Sequence, residues 1–381
     1  MQADNPNGSG TDAAGKDSPG AVRRDDFGGV VDTHKVGPEG THPLPGVDAR
    51  REAVTQQLRD HKGGLDGQDQ AGQVGTLLQM ATLQEDLPAL DAACAGRLQI
   101  PADLEEARTQ GLAAAHNLRQ RALDTATRTG MPKLEGAAQT ALALSCGKQG
   151  DLNGTVGRAA AAERLSWSQA SIQDTWRSIG ALRLQLFEVI QDQGNFPVEV
   201  GMAARGALRD AQLRAALPAA EQARLHRAEL RFGLQAGEYQ WDGIAERAAD
   251  RILTRFVREG ALGEAAGTAL VIGQTVPDHQ VAGKWLRRAE RCADLAHDAG
   301  LKGRVSLSQA RLLASSPAAQ REVRRWTIRS SMEEARTSLD QAGDPLAAVV
   351  SHWTPDQAPP DSLLKLTDLW DLRDRPAARH G

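Results

Sequence analysis

Arg224, Arg227 and Arg231 follow one another at spacings of three and four, which puts three guanidinium groups on one face of a helix. A guanidinium fork donates two parallel hydrogen bonds to a carboxylate, so this stripe suits an acidic peptide or a chain-terminal carboxylate. Arg321, Arg324, Arg325, Trp326 and Arg329 form a second basic group, and Lys284, Arg287, Arg288 and Arg291 a third. Residues 201–330 hold 21 Lys/Arg against 14 Asp/Glu, whereas residues 1–100 hold 9 against 15. Clustered positive charge also matches nucleic-acid phosphates. Acidic residues interleave throughout, however, and no nucleic-acid recognition motif occurs. Arg224, Arg227, Arg231, Arg324 and Arg325 are therefore the expected partner-binding residues. A protein or acidic peptide is the expected partner, with nucleic acid as the alternative.

Catalytic chemistry has little to work with. The sequence contains no HExxH, GxSxG or GxxxxGK[ST], and no GxGxxG after a strand. His116, His226, His279, His297 and His352 have no Cys or His partner at ligand spacing, and Asp32-Thr33-His34 stands alone in a polar leader. Cys94, Cys146 and Cys292 are too far apart in sequence for a CxxC pair, which argues against structural zinc or a disulfide framework and for a reducing compartment. The expectation is a non-enzymatic protein without catalytic residues, cofactor or metal.

These side chains must be positioned by helices. Of the 381 residues 40% are hydrophobic but only 3% aromatic, and the net charge is −4. Alanine, leucine, arginine and glutamate take the place of β-branched and aromatic residues, which favours packed helices and disfavours a β-sandwich. No apolar run approaches the ~20 residues that span a bilayer, and no basic segment followed by an apolar one opens the chain. No membrane insertion and a cytoplasmic location are expected; the alternative is export by a signal-peptide-independent secretion system.

Residues 1–46 are rich in Gly, Asp, Ser, Asn and Pro without hydrophobic periodicity, and read as a disordered acidic leader. N-terminal helices are expected over 47–130, a helical array over 131–344, and a capping helix and tail over 345–381. Prolines 101, 132, 197, 218, 277, 317 and 345 each precede a helix-forming stretch, as suits the first helical turn. They predict helices over 102–129, 132–148, 152–166, 169–192, 197–216, 218–235, 239–258, 261–273, 278–299, 304–315, 317–341 and 361–372. In the last of these, Leu363, Leu366 and Trp370 share one side, as in a helix that caps an array or docks into a groove.

A phrase recurs. Lys148-Gln149-Gly150-Asp151-Leu152 returns as Asp192-Gln193-Gly194-Asn195-Phe196 and as Gln235-Ala236-Gly237-Glu238-Tyr239, the glycines 44 and 43 residues apart. A helix ending at glycine, a polar residue and then an apolar one marks a tight bend between paired helices. With Leu142 before the bend and Ala159–Ala162 after it, the phrase resembles the turn of a tetratricopeptide repeat. Its hairpins are about ten residues longer than the usual ~34. The resemblance implies an all-α stack of antiparallel helical hairpins, a tetratricopeptide-like α-solenoid. Its concave groove would carry Arg224, Arg227 and Arg231 at one end, and Ala181, Leu184, Glu188, Ala137, Thr140 and Leu144 along the rest. The expected role is an adaptor, chaperone-like or regulatory module for protein–protein interaction. The alternatives are a bacterial virulence effector delivered through its leader, and a helical-repeat nucleic-acid-binding protein.

Overall fold

A computed structural model describes residues 43–167, 171–192, 198–236, 241–315 and 318–352. The leader up to residue 42, the Gly194 and Gly237 corners and the helix expected over 361–372 lie outside the described residues.

Among the described residues the chain is all α, with fifteen helices and no strand. After α1 (Pro45–Leu65) come six paired units: α2 (Gln70–Cys94) with α3 (Pro101–Thr129), and α4 (Pro132–Lys148) with α5 (Leu152–Ser166). Then follow α6 (Ile172–Asp192) with the short α7 (Val198–Ala207) and α8 (Ala211–Ala216), and α9 (Ala219–Gln235) with α10 (Gly243–Arg258). The last two are α11 (Leu262–Thr275) with α12 (His279–Ala296), and α13 (Ala299–Ala314) with α14 (Ala318–Gln341), before α15 (Leu346–Ser351). The first helices of successive pairs touch in turn, α2 to α4, α6, α9, α11 and α13. From α4 onward they end at Lys148, Asp192, Gln235, Thr275 and Ala314, at intervals of 44, 43, 40 and 39 residues. That is a repeat protein.

Local chemistry fixes most of these boundaries. Prolines occupy the first turns of α1, α3 and α4, where the missing N–H costs nothing. Aspartates cap α2, α5, α8, α10, α12 and α13, their carboxylates accepting from backbone amides that have no partner inside the helix. At Gly150 the backbone turns left-handed (φ 75°), and Asp151 N donates to Cys146 O at 2.9 Å. Gly260 makes the same corner, with φ 72° and Ala261 N donating to Phe256 O at 2.9 Å, but at the end of α10, a second helix. The glycine corner therefore ends helices of both kinds and does not by itself mark the bend within a hairpin. Polar bonds mark the repeat better. Gln120–Arg158, Gln191–Ala228, Arg231–Asp192, Lys284–Glu246 and Arg288–Asp250 all join residues 37 to 39 apart.

Two expected helices differ. The stretch 197–216 is broken into α7 and α8 because Leu208 is buried and Asp210 then caps a new helix, accepting from Gln212 N and Leu213 N. The boundary expected near 299–304 lies at His297, which takes a left-handed turn (φ 53°), and Asp298 caps α13. Trp285 is fully buried with Trp241 edge-on at 6.1 Å, and Trp167 meets Trp176 edge-on at 5.2 Å. Trp326, by contrast, is 65% exposed.

The first and last helices meet. α1 packs against α14 and α15 against α3, and one core cluster joins Val47, Val54, Leu90 and Leu104 to Leu307, Met332, Leu339 and Val349. The N-terminal helices thus share their interior with α13–α15. Asp340 of α14 caps α1 from the other end of the sequence, its Oδ1 accepting from Gly46 N and Val47 N at 3.1 Å each. Gly46 permits that approach, since a Cβ there would lie 1.8 Å from Asp340 O. Buried Asp344 accepts from Arg304 at 3.1 Å and from Leu346 N at 3.0 Å. The succession of neighbouring helices closes on itself across this seam.

Candidate partner-binding site

α9 presents two adjoining stripes, and they have different fates. The first is the expected one. Arg224, Arg227 and Arg231 do share a face, but that face looks onto α6 and α11. Arg224 pairs with Glu188, and Arg227 bridges Glu188 at 3.0 Å and Glu264. Arg231 reaches Asp192 at 3.0 Å. The three side chains are 27%, 20% and 11% exposed. Burial pulls the Arg231 guanidinium down to about 10, against the opposing pull of Asp192. Gln191 adds a buried bond from its Nε2 to Ala228 O at 2.8 Å. Removing one partner of such a pair leaves a desolvated charge, so these contacts hold three helices in register. Of the other positions assigned to the groove, Leu184 is buried in the α6–α9 core and Ala137 is exposed. Arg324 and Arg325 are exposed on α14, which packs against α1, α13 and α15, and the structure does not bring them to the α9 stripe.

The second stripe, one residue round the helix, was not expected. Ala223, His226 and Leu230 face α10 across a cleft of about 810 Å³. The opposite wall is Ile244, Ala248, Arg251, Ile252 and Arg255, at intervals that keep one face of α10 turned inward. The floor is apolar: Ala223, Ala245, Leu230 and Ile252 are all buried. At the rim, Arg255 donates to Gln222 at 3.3 Å and pairs with Glu259 at 3.1 Å. Arg251, exposed on the same helix, pairs with no carboxylate among the described residues, while Arg247, outside the lining, lies near enough to Asp242 to help hold its carboxyl down. Asp242 also lines the cleft but spends its carboxylate on Ile244 N and Ala245 N at 2.9 Å each, and those amides hold it below the usual carboxylate range. Glu229 is likewise paired, with Arg214. The carboxylates of the lining are engaged while Arg251 is not, so the rim favours anions. The sequence carried a signal for this wall, since Arg247, Arg251, Arg255 and Arg258 recur at four, four and three residues. Nothing in it showed that a cleft would open between α9 and α10.

Burial and the neighbouring Asp48 carboxylate push the Cys94 thiol up to about 12, and burial raises Cys146 and Cys292. Among the described residues no group of His, Cys, Asp and Glu could hold a metal ion, and no helix is long and apolar enough to cross a membrane.

No family model matches this chain, and no curated protein matches it. Among solved structures, it is similar to one described as a circular tandem repeat protein with novel repeat topology and enhanced subunit contact surfaces. The two are 13% identical over 80% of this chain and 87% of that one, with a TM-score of 0.26. A second, described under the computational design of self-assembling cyclic protein homooligomers, is 14% identical over 79% of this chain and 97% of that one, with a TM-score of 0.16. The chain's own geometry, six helix pairs advancing at a near-regular interval, makes it an all-α helical-repeat protein.

Proposed function

We propose that this protein is a non-covalent interaction module, and that its site is the α9–α10 cleft. Helical-repeat bodies are suited to protein binding because their surface is rigid, so little ordering cost falls on their side. The observation that carries the reading is the cleft itself: an apolar floor between two helices with Arg251 unpaired on one wall. That combination fits a short amphipathic helix of a partner protein, apolar residues down and a carboxylate towards Arg251. Arg224, Arg227 and Arg231 hold the wall behind the cleft, and their contribution to binding is through α9.

The test is a pair of synthetic helical peptides with the same apolar face, one flanked by Asp and Glu and the other by Lys. Anisotropy titrations should show the acidic peptide binding and the basic one failing. Arg251→Glu should weaken the acidic peptide by about ten-fold, as losing one charged contact does. Equal binding of both peptides, or of neither, would sink the proposal.

A further inference from the structure

Three arginines gather beside the seam, and two of them are paired. Arg50 of α1 donates to Asp86 of α2 and to Ala342 O at 3.4 Å. Arg304 of α13 donates to Asp344 through Nη2 at 3.1 Å, and Asp344 spends its other oxygen on Leu346 N at 3.0 Å. Arg108 of α3 has no such partner. It is half-buried, yet among the described residues it donates no hydrogen bond and no carboxylate oxygen lies within 4.0 Å of it. Its neighbours Leu104 and Ala107 are buried in the cluster that also holds Leu307 of α13 and Val349 of α15, which brings α3 against both helices.

The surroundings of Arg108 call for an anion. Burial pulls its guanidinium down; Asp344 opposes that pull, Arg304 adds to it, and Asp86 and Glu105 oppose it more weakly. Asp344 and Asp86 are already engaged, and Glu105 is exposed. A partly desolvated cation beside a like charge is costly unless an opposite charge meets it. Arg304 has donors to spare, since its Nε and Nη1 make no hydrogen bond among the described residues. We propose that Arg108 and Arg304 together bind a phosphate group, which ties α3 to α13 across the seam. Two forks carried by separate helices favour phosphate over carboxylate, because a carboxylate offers one edge whereas a tetrahedral phosphate presents oxygens on several sides. Free phosphate and a phosphate ester share this chemistry. The site shares no residue with the α9–α10 cleft and stands or falls independently of it.

The experiment uses the full chain in phosphate-free buffer, with inorganic phosphate added at constant ionic strength. Calorimetry gives its Kd, and hydrogen exchange is followed in α15, which packs on α3 and α14. Phosphate at about ten times its Kd should slow that exchange about ten-fold. Arg108→Gln and Arg108→Met should each abolish the slowing. Without phosphate, Arg108→Met should melt no lower than the unaltered chain, because it removes a charge that has no pair. A clearly lower melting temperature would show that Arg108 serves the seam unaided, and would overturn the proposal. So would equal slowing in the unaltered chain and in Arg108→Gln, since phosphate would then act on the protein at large. Absence of calorimetric binding would overturn it as well. Glycerol 3-phosphate separates the two sources: tighter binding of the ester assigns the site to a phosphorylated molecule, and tighter binding of the ion to free phosphate.

Discussion

The seam and the cleft are both places where helices from different pairs meet, yet they are built in opposite ways. At the seam, α1 and α14 come so close that Gly46 has no room for a methyl group, and backbone amides are capped across 293 and 294 residues of sequence. At the cleft, α9 and α10 share a core through Ala223, Leu230, Ala245 and Ile252, yet leave a gap of about 810 Å³ beside it. A repeat protein is expected to be weakest at its ends. Here the first and last described helices are knitted together, and the cleft lies at an interior junction. α7 and α8, broken around Leu208–Asp210, are the shortest helices among the paired units, and they precede the cleft helices.

Substitutions at the two places sharpen the contrast. Gly46→Val forces the seam apart and should cost about 3 kcal/mol in urea unfolding, the upper end for overpacking. No comparable loss would mean that the seam yields easily. Asp340→Ala leaves the amides of Gly46 and Val47 uncapped and should cost about 1 kcal/mol by the same measurement.

Acid should act on the seam as well. Burial pushes the Asp344 carboxyl up, but Arg304, the Leu346 amide and Arg108 together outweigh it and hold it below its ordinary 3.8. A carboxyl depressed in the fold lends stability above its unfolded value and loses it as pH falls through the folded one. Hydrogen exchange in α15 should therefore accelerate below about pH 3.8 more than in Asp344→Asn, which has no such titration. The smallest effect is expected in the cleft. Ala248→Leu adds bulk where there is already space, so stability should change by no more than about 0.5 kcal/mol while acidic-peptide binding is lost. A large destabilisation would show that the gap is closed in solution.

Much of this architecture was legible from punctuation. Residues 132–148 and 152–166 are helices at the predicted limits, because Pro132 opens one, Gly150 ends it and Asp151 caps the next. Where a boundary rests on burial or on an unusual backbone, the sequence is silent. Leu208 looks like any helical leucine, and His297 gives no notice of its left-handed turn. The arginine stripe was legible as a face but not as a set of pairs. Its partners Glu188 and Glu264 lie 36 and 37 residues away on other helices, and only the stacking register brings them near. The seam depends on still longer separations, and the cleft on a distance between helices that no local pattern encodes.

Because the described helices follow one another without a free end, no terminal pair among them can fray while the others persist. Denaturation must begin by tearing a junction, and the two pairs that flank the tear then each lose support on one side. Melting should thus run as one sharp event.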